Sequence, residues 1–253
     1  MLNKVRPPYF LACAVLILAF CSTGFALSDE KILSLQNAMK GASTGDRIAF
    51  FAEQFVGTPY DPDPLGAYVR QAVIVADEKI DCMYLVFRAV ELALSPTPEG
   101  AVEAALERRF HSRGIISNRK VVNYDDRFAY GEDMVPSGKW GKEITSEIGR
   151  TVAIQAPRSG QNTDMLQPGE VLNGIEKLKS GDLLFFIKSP SEKTGNEIVG
   201  HLGIIERAGA LGKDIYLIHA SGRKYKGGIV KKIALREYIK TMPFIGIKIT
   251  RFP

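Results

Sequence analysis

The chain has 253 residues, 45% of them hydrophobic, and a formal charge of +5 with its histidines neutral. That composition suits one generous globular domain or two small ones, and it excludes collagenous, low-complexity and disordered classes. There is no internal repeat and no long run of like charge, and so mild a charge argues against a nucleic-acid partner.

The chain opens with MLNKVRPPYFLACAVLILAFCSTGFALSDE. Lys4 and Arg6 precede an apolar run from Tyr9 to Phe20, and Gly24-Phe25-Ala26 follows as a small-x-small cleavage site. The run is short for a bilayer span, so residues 1–26 read as a secretory signal peptide rather than as an uncleaved anchor. A lipoprotein signal through Cys21 fits less well, because the bulky Phe20 precedes it. The expectation is export across the inner membrane to the periplasm or cell envelope, with no membrane span left after cleavage. Removing Lys4 and Arg6 lowers the charge to +5 − 2 = +3. Cys13 and Cys21 leave with the signal, so Cys82 is the one thiol of the mature chain. It has no internal disulfide partner. It is either a small buried hydrophobe or a free reactive group.

Residues 27–253 read as a single domain. A short helix is expected over Ser28–Met39. A second spans STGDRIAFFAEQF, where Ile48, Phe51, Ala52, Phe55 and Val56 share a stripe, Ser43 or Thr44 caps the start and Gly57 ends it. GTPYDPDPLG is loop. In DCMYLVFRAVELAL, Val86, Ala89, Val90, Ala93 and Leu94 form another apolar stripe, Asp81 stands at the cap position and Ser95-Pro96 stops the helix. TPEGAVEAALERRF reads as a fourth helix. Residues 112–173 lack clean periodicity and read as an irregular insertion with a few short elements. Its aromatics, with the only tryptophan at Trp140, suggest an ordered binding wall.

The last third is strand-like: Gly181–Lys188, Gly200–Arg207, Lys213–Ala220, Gly227–Ile233 and Ile245–Phe252, with a short helix over Leu235–Met242. Helices first and strands after predict an α+β fold with a mostly antiparallel sheet.

The chain has three histidines. His111 ends a solvated helix and is assigned no role. His201 and His219 lie in neighbouring strands. A turn centred near residue 210 sets them directly opposite, with Cβ atoms about 4.5–5.5 Å apart. A one-residue slip would put them on opposite faces. A thiol needs a base, and the base needs an orienting group. His201 is placed to take the Cys82 proton and His219 to hold the ring of His201. Gly203, on the same face, leaves room for substrate or for the helix carrying Cys82. At a helix start, Cys82 gains from unpaired N–H groups, and its own N–H is an oxyanion donor. The competing reading makes Cys82, His201 and His219 zinc ligands, although no short-spaced ligand pair supports it.

The order DC-helix, GDLLFF, GHLGIIE, IYLIHAS resembles the NlpC-type, papain-like cysteine peptidases of bacterial cell walls. The resemblance implies a papain-like fold in which N-terminal helices pack on a C-terminal sheet. It makes Cys82 the nucleophile, His201 the base and His219 the orienter, with no metal or organic cofactor. FVGTPY matches the segment before the nucleophile and places Tyr60 on the oxyanion side. HAS adds Ser221 as a substrate contact. FVGTPY, LIHAS and the ending YIKTMPFIGIKITRF look most like the N-acetylmuramoyl-L-alanine amidase-like branch. Met83 and Tyr84 depart from the small or hydroxylated residues common there.

The expected substrate is therefore peptidoglycan or a muropeptide. Arg127, Lys139, Trp140 and Lys142 are candidates for gripping stem-peptide carboxylates or a sugar face. The alternatives are a γ-D-glutamyl-diaminopimelate endopeptidase using the same trio, an inactive peptidoglycan-binding module and a thiol acyltransferase.

Overall fold

A computed structural model describes residues 26–189, 197–209 and 212–253. The expected signal peptide therefore lies outside the described residues, apart from Ala26. No described helix is long and apolar enough to cross a membrane.

Four helices come first: α1 (Asp29–Ala38), α2 (Thr44–Gln54), α4 (Cys82–Leu94) and α5 (Pro98–Arg108), with the single-turn α3 (Ala67–Arg70) between α2 and α4. Their starts follow the capping chemistry. Ser43 accepts from Asp46 N, Asp81 from Tyr84 N, and Thr97 from Gly100 N with Pro98 at the first helical position. Helix α4 is buried on nearly every side, with Leu85, Val86, Phe87, Ala89, Val90 and Leu92 all inaccessible or nearly so. Each large apolar side chain there contributes roughly 1.5–3 kcal/mol.

The sheet follows as β6 (Leu183–Ile187), β7 (Val199–Ala208), β8 (Asp214–Arg223), β9 (Gly227–Ala234) and β10 (Gly246–Arg251), with α9 (Leu235–Thr241) before β10. All recorded pairings are antiparallel. The molecule is thus α+β, with its helices N-terminal and a large antiparallel sheet C-terminal. Leu183, Phe185, Leu202, Ile204, Ile218 and Ala220 pack on the side of α2 and α4. Leu184, Phe186, Ile205, Leu217, Ile247 and Ile249 pack with α9 on the other.

The 112–173 stretch is more regular than its sequence suggests. It holds the hairpin of β1 (Ile116–Ser117) and β2 (Lys120–Val121) and the short helices α6 (Gly131–Met134), α7 (Thr145–Ile148) and α8 (Pro168–Asn173); strands β3 (Lys142–Glu143) and β5 (Asn162–Leu166) pair with β10, and β4 (Thr151–Gln155) pairs with β5. The sheet order is β4-β5-β10-β6-β7-β8-β9 with β3 alongside β10. These strands are short, and the alternation in β4 amounts to Val152 and Ile154 alone, too brief a period-2 pattern to announce a strand.

Trp140 is a correction. Its side chain is fully buried and stacks on Phe87 of α4 with centroids 4.7 Å apart, so it belongs to the core and cannot wall a groove.

Candidate active site

Cys82 is the first residue of α4. Asp81 Oδ1 accepts from Tyr84 N at 2.8 Å, and Asp81 Oδ2 accepts from Lys224 Nζ at 2.8 Å. The cap is thereby fixed from two sides. Among the described residues, the Cys82 backbone N–H has no acceptor. It is one of the orphan donors that every helix start presents.

The histidines meet, by a register different from the one expected. The β7–β8 ladder pairs Ile204 with Ile218 and continues to Ala208 with Asp214, so paired numbers sum to 422 rather than 420. The slip is two residues, which preserves the face. His201 and His219 are therefore diagonal neighbours, with His201 Nε2 and His219 Nδ1 2.8 Å apart. One of these nitrogens carries the hydrogen. The space beside Gly203 is also reassigned. A Cβ there would lie 2.5 Å from Leu217 Cδ1, so Leu217 fills the room expected for substrate or for the Cys82 helix.

The recorded β7–β8 pairing stops at Ile204 and Ile218, short of both histidines. The backbone N–H of Leu202, the neighbour of His201, lies near the Cys82 thiol and favours its charged form. The thiol thus approaches β7 where the two strands are no longer paired. Among the described residues, neither imidazole hydrogen-bonds the thiol directly. Phe186, Tyr238 and Phe244 surround His201, with Phe244 stacked on it at 6.0 Å and 6°. Tyr238 also meets His219 edge-on at 4.9 Å.

Electrostatics keep the resting site neutral. Burial pushes the Cys82 thiol up to about 12, and the Asp81 carboxylate adds to this. Burial lowers His201 to about 3, helped by His219. Burial lowers His219 to about 4, helped by the Lys231 cation paired across β8–β9. A neutral thiol and neutral imidazoles, rather than a preformed ion pair, follow from these directions. A base on His201 then requires one tautomer. Nε2–H must donate to His219 Nδ1, leaving His201 Nδ1 as the free acceptor. Among the described residues, no group of three or more His, Cys, Asp or Glu is arranged to hold a metal.

Residues 57–60 run along β9: Gly57 N donates to Val230 O, Val230 N to Thr58 O and Tyr60 N to Gly228 O. This sets the Tyr60 ring against Gly222, where a Cβ would lie 2.2 Å from Tyr60 Cγ. Only glycine allows that approach. The Tyr60 hydroxyl has no partner among the described residues, and burial followed by Cys82 raises it well above the usual phenol range. It stays protonated and is a free donor beside the thiol.

The other expected contacts divide. Ser221 sits half-buried on β8, two residues beyond His219. Lys139 instead caps the end of α5, its Nζ donating to the carbonyls of Glu107, Phe110, His111 and Ser112 at 2.6–3.0 Å. Arg127 donates to Tyr124 O, and exposed Lys142 pairs with Glu147. Among the described residues, none of these three cations touches Cys82, His201 or His219. Lys224, Tyr238 and Phe244 were missed. Tyr238 was legible, since Leu235, Tyr238, Ile239 and Met242 recur at helical spacing. Lys224 sits in a turn with no pattern to flag it.

No family model matches the chain, and no curated protein matches it. Solved structures do. An N-acetylmuramoyl-L-alanine amidase from Bacteroides uniformis ATCC 8492 superposes with a TM-score of 0.63 at 19% identity, covering 83% of this chain and 99% of that one. A Legionella pneumophila str. Philadelphia 1 protein of the DUF1460 family superposes with a TM-score of 0.66 at 18% identity, covering 89% and 94%. At such identities the likeness is one of fold: the chain has an amidase-like architecture.

Proposed function

We propose that this chain is an exported cell-wall hydrolase that cleaves an amide in peptidoglycan or muropeptides, with Cys82 as nucleophile. The bond it favours is that between N-acetylmuramic acid and L-alanine. The observation that carries the reading is a free helix-start cysteine that approaches β7 at Leu202, the neighbour of His201, whose imidazole meets that of His219 at 2.8 Å. The amidase-like fold supports the choice of bond.

The chemistry follows from the groups present. Cys82 Sγ attacks the lactyl carbonyl as its proton passes to His201 Nδ1, and the carbonyl electrons move to oxygen. The Cys82 N–H and the Tyr60 hydroxyl are the donors for that oxyanion. His219 accepts from His201 Nε2–H and steadies the imidazolium. The C–N bond then breaks, and its nitrogen takes the proton from His201 to leave as the L-alanine amine. Water, deprotonated by His201, attacks the thioester. The C–S bond breaks and the thiol recovers its proton.

Digestion of a defined disaccharide-peptide by wild-type protein and by Cys82→Ala tests this, with products read by mass. Free stem peptide and free disaccharide from wild type alone are expected. Disaccharide-dipeptide would instead identify a γ-D-glutamyl-diaminopimelate endopeptidase. An unchanged substrate with wild type would leave a binding module. Transfer to a supplied amine that outruns hydrolysis would make the enzyme an acyltransferase.

A further inference from the structure

The turn between β8 and β9 lies beside the site and takes no part in the chemistry above. Tyr225 sits on it with φ +66. A non-glycine residue held there is in a strained backbone conformation. The turn is nevertheless pinned. Tyr225 N donates to Pro62 O at 2.9 Å. Lys224 Nζ donates to Asp63 O at 2.7 Å and to Asp81 Oδ2 at 2.8 Å. What this rigid turn displays is a bare aromatic ring, 82% exposed. Burial in a core does not explain the residue, because the ring is outside it.

The ring lines an open groove of about 670 Å³, with Asp61, Gln71, Ala76, Glu78 and Lys79 among its other walls. That size is in the range of small-ligand sites. The groove and the thiol share their framework, because the loop after Tyr60 forms one wall and the Asp81 cap is tied to the same turn.

The lining selects the ligand class. Asp61 spends both carboxylate oxygens on the backbone N–H groups of Asp63 and Ala67. Asp63 is paired with Arg70. The charges left exposed in the groove are Glu78 and Lys79, one of each sign. Such a lining suits a neutral polyhydroxylated ligand and gives a multiply charged stem peptide little to pair with. A pyranose has an apolar C–H face that lies flat on an aromatic ring, and its hydroxyl and acetamido groups reach the polar rim.

We propose that this groove is a subsite for the pyranose ring of an N-acetylated amino sugar, with Tyr225 as its stacking platform. The proposal rests on the hydrolase reading and names the part of the substrate held on the acyl side of the bond.

The test is binding, which needs no turnover. The GlcNAc-MurNAc disaccharide is titrated calorimetrically into full-length wild type, Tyr225→Ala and Tyr225→Phe, and a stem tetrapeptide is titrated in parallel. The disaccharide is expected to bind wild type and Tyr225→Phe alike and to bind Tyr225→Ala about tenfold more weakly, the scale of one lost ring contact. Peptide binding is expected to be indifferent to Tyr225. No disaccharide binding to wild type, equal binding to Tyr225→Ala, or a peptide in place of the sugar as the Tyr225-sensitive ligand would overturn the proposal. Sugar binding without muropeptide cleavage would overturn the hydrolase reading and leave the subsite standing.

Discussion

The two ends of the surroundings of α4 treat polarity in opposite ways. Along its flank, charge is buried and paired. Arg88 meets Asp77 at 2.9 Å, Arg109 grips both oxygens of Glu91 at 2.6 and 2.7 Å, and Arg109 also donates to Ile74 O. Tyr84 joins in, donating to Asp77 and accepting from Ala76 N. That accounts for a tyrosine two residues after Cys82: it ties the loop before α4 to the helix. At the N-terminus of α4, the Cys82 N–H and the Tyr60 hydroxyl have no partners among the described residues. The flank network holds the scaffold still; the donors at the helix start are left for a substrate.

The sharpest way to break this contrast is on the flank. Glu91→Gln leaves the Arg109 guanidinium buried without its counter-charge, a loss of about 3–5 kcal/mol. Denaturant unfolding is expected to show that loss, with activity falling in step with folded protein. A Glu91→Gln protein of wild-type stability would show that the network is no scaffold.

A smaller effect tests the site end. His201 and His219 are held at about 3 and about 4, well under the ordinary 6.5. The unfolded chain therefore binds protons that the native pair refuses. The stability this pair contributes is whole above about pH 6.5 and is lost as pH falls toward 4 and then 3. The facing groups are the Lys231 cation and the uncharged Phe186, Tyr238 and Phe244, so no carboxylate compensates. Melting temperatures at pH 7 and pH 4.5 are expected to differ less in His219→Gln than in wild type. An equal or larger difference in the variant would mean that the histidines titrate freely in the native state.

Much of the architecture was written locally. Ser43, Asp81, Thr97 and Pro98 announce their helices because a cap acts within three residues, and the apolar strands β6 to β10 announce themselves by burial. The proposed trio was legible for a related reason: one thiol outside the expected signal peptide and two strand histidines leave few arrangements. What stayed hidden is set by distant partners. The register of β7 and β8 depends on how the chain turns between them. The burial of Trp140 depends on Phe87, more than fifty residues earlier. Lys139 looked free in sequence because the carbonyls it caps lie at the far end of α5. Tyr60 is joined to the site through backbone contacts along β9, and Lys224 through its side chain on Asp81, both far from α4 in sequence.

The nucleophile assignment is tested most directly by the mass of the intact protein, acid-quenched during turnover of a defined disaccharide-peptide. Wild type is expected to carry the disaccharide as a thioester on Cys82, with none on Cys82→Ala. Turnover by Cys82→Ala, or turnover by wild type with the adduct on another residue, would contradict it.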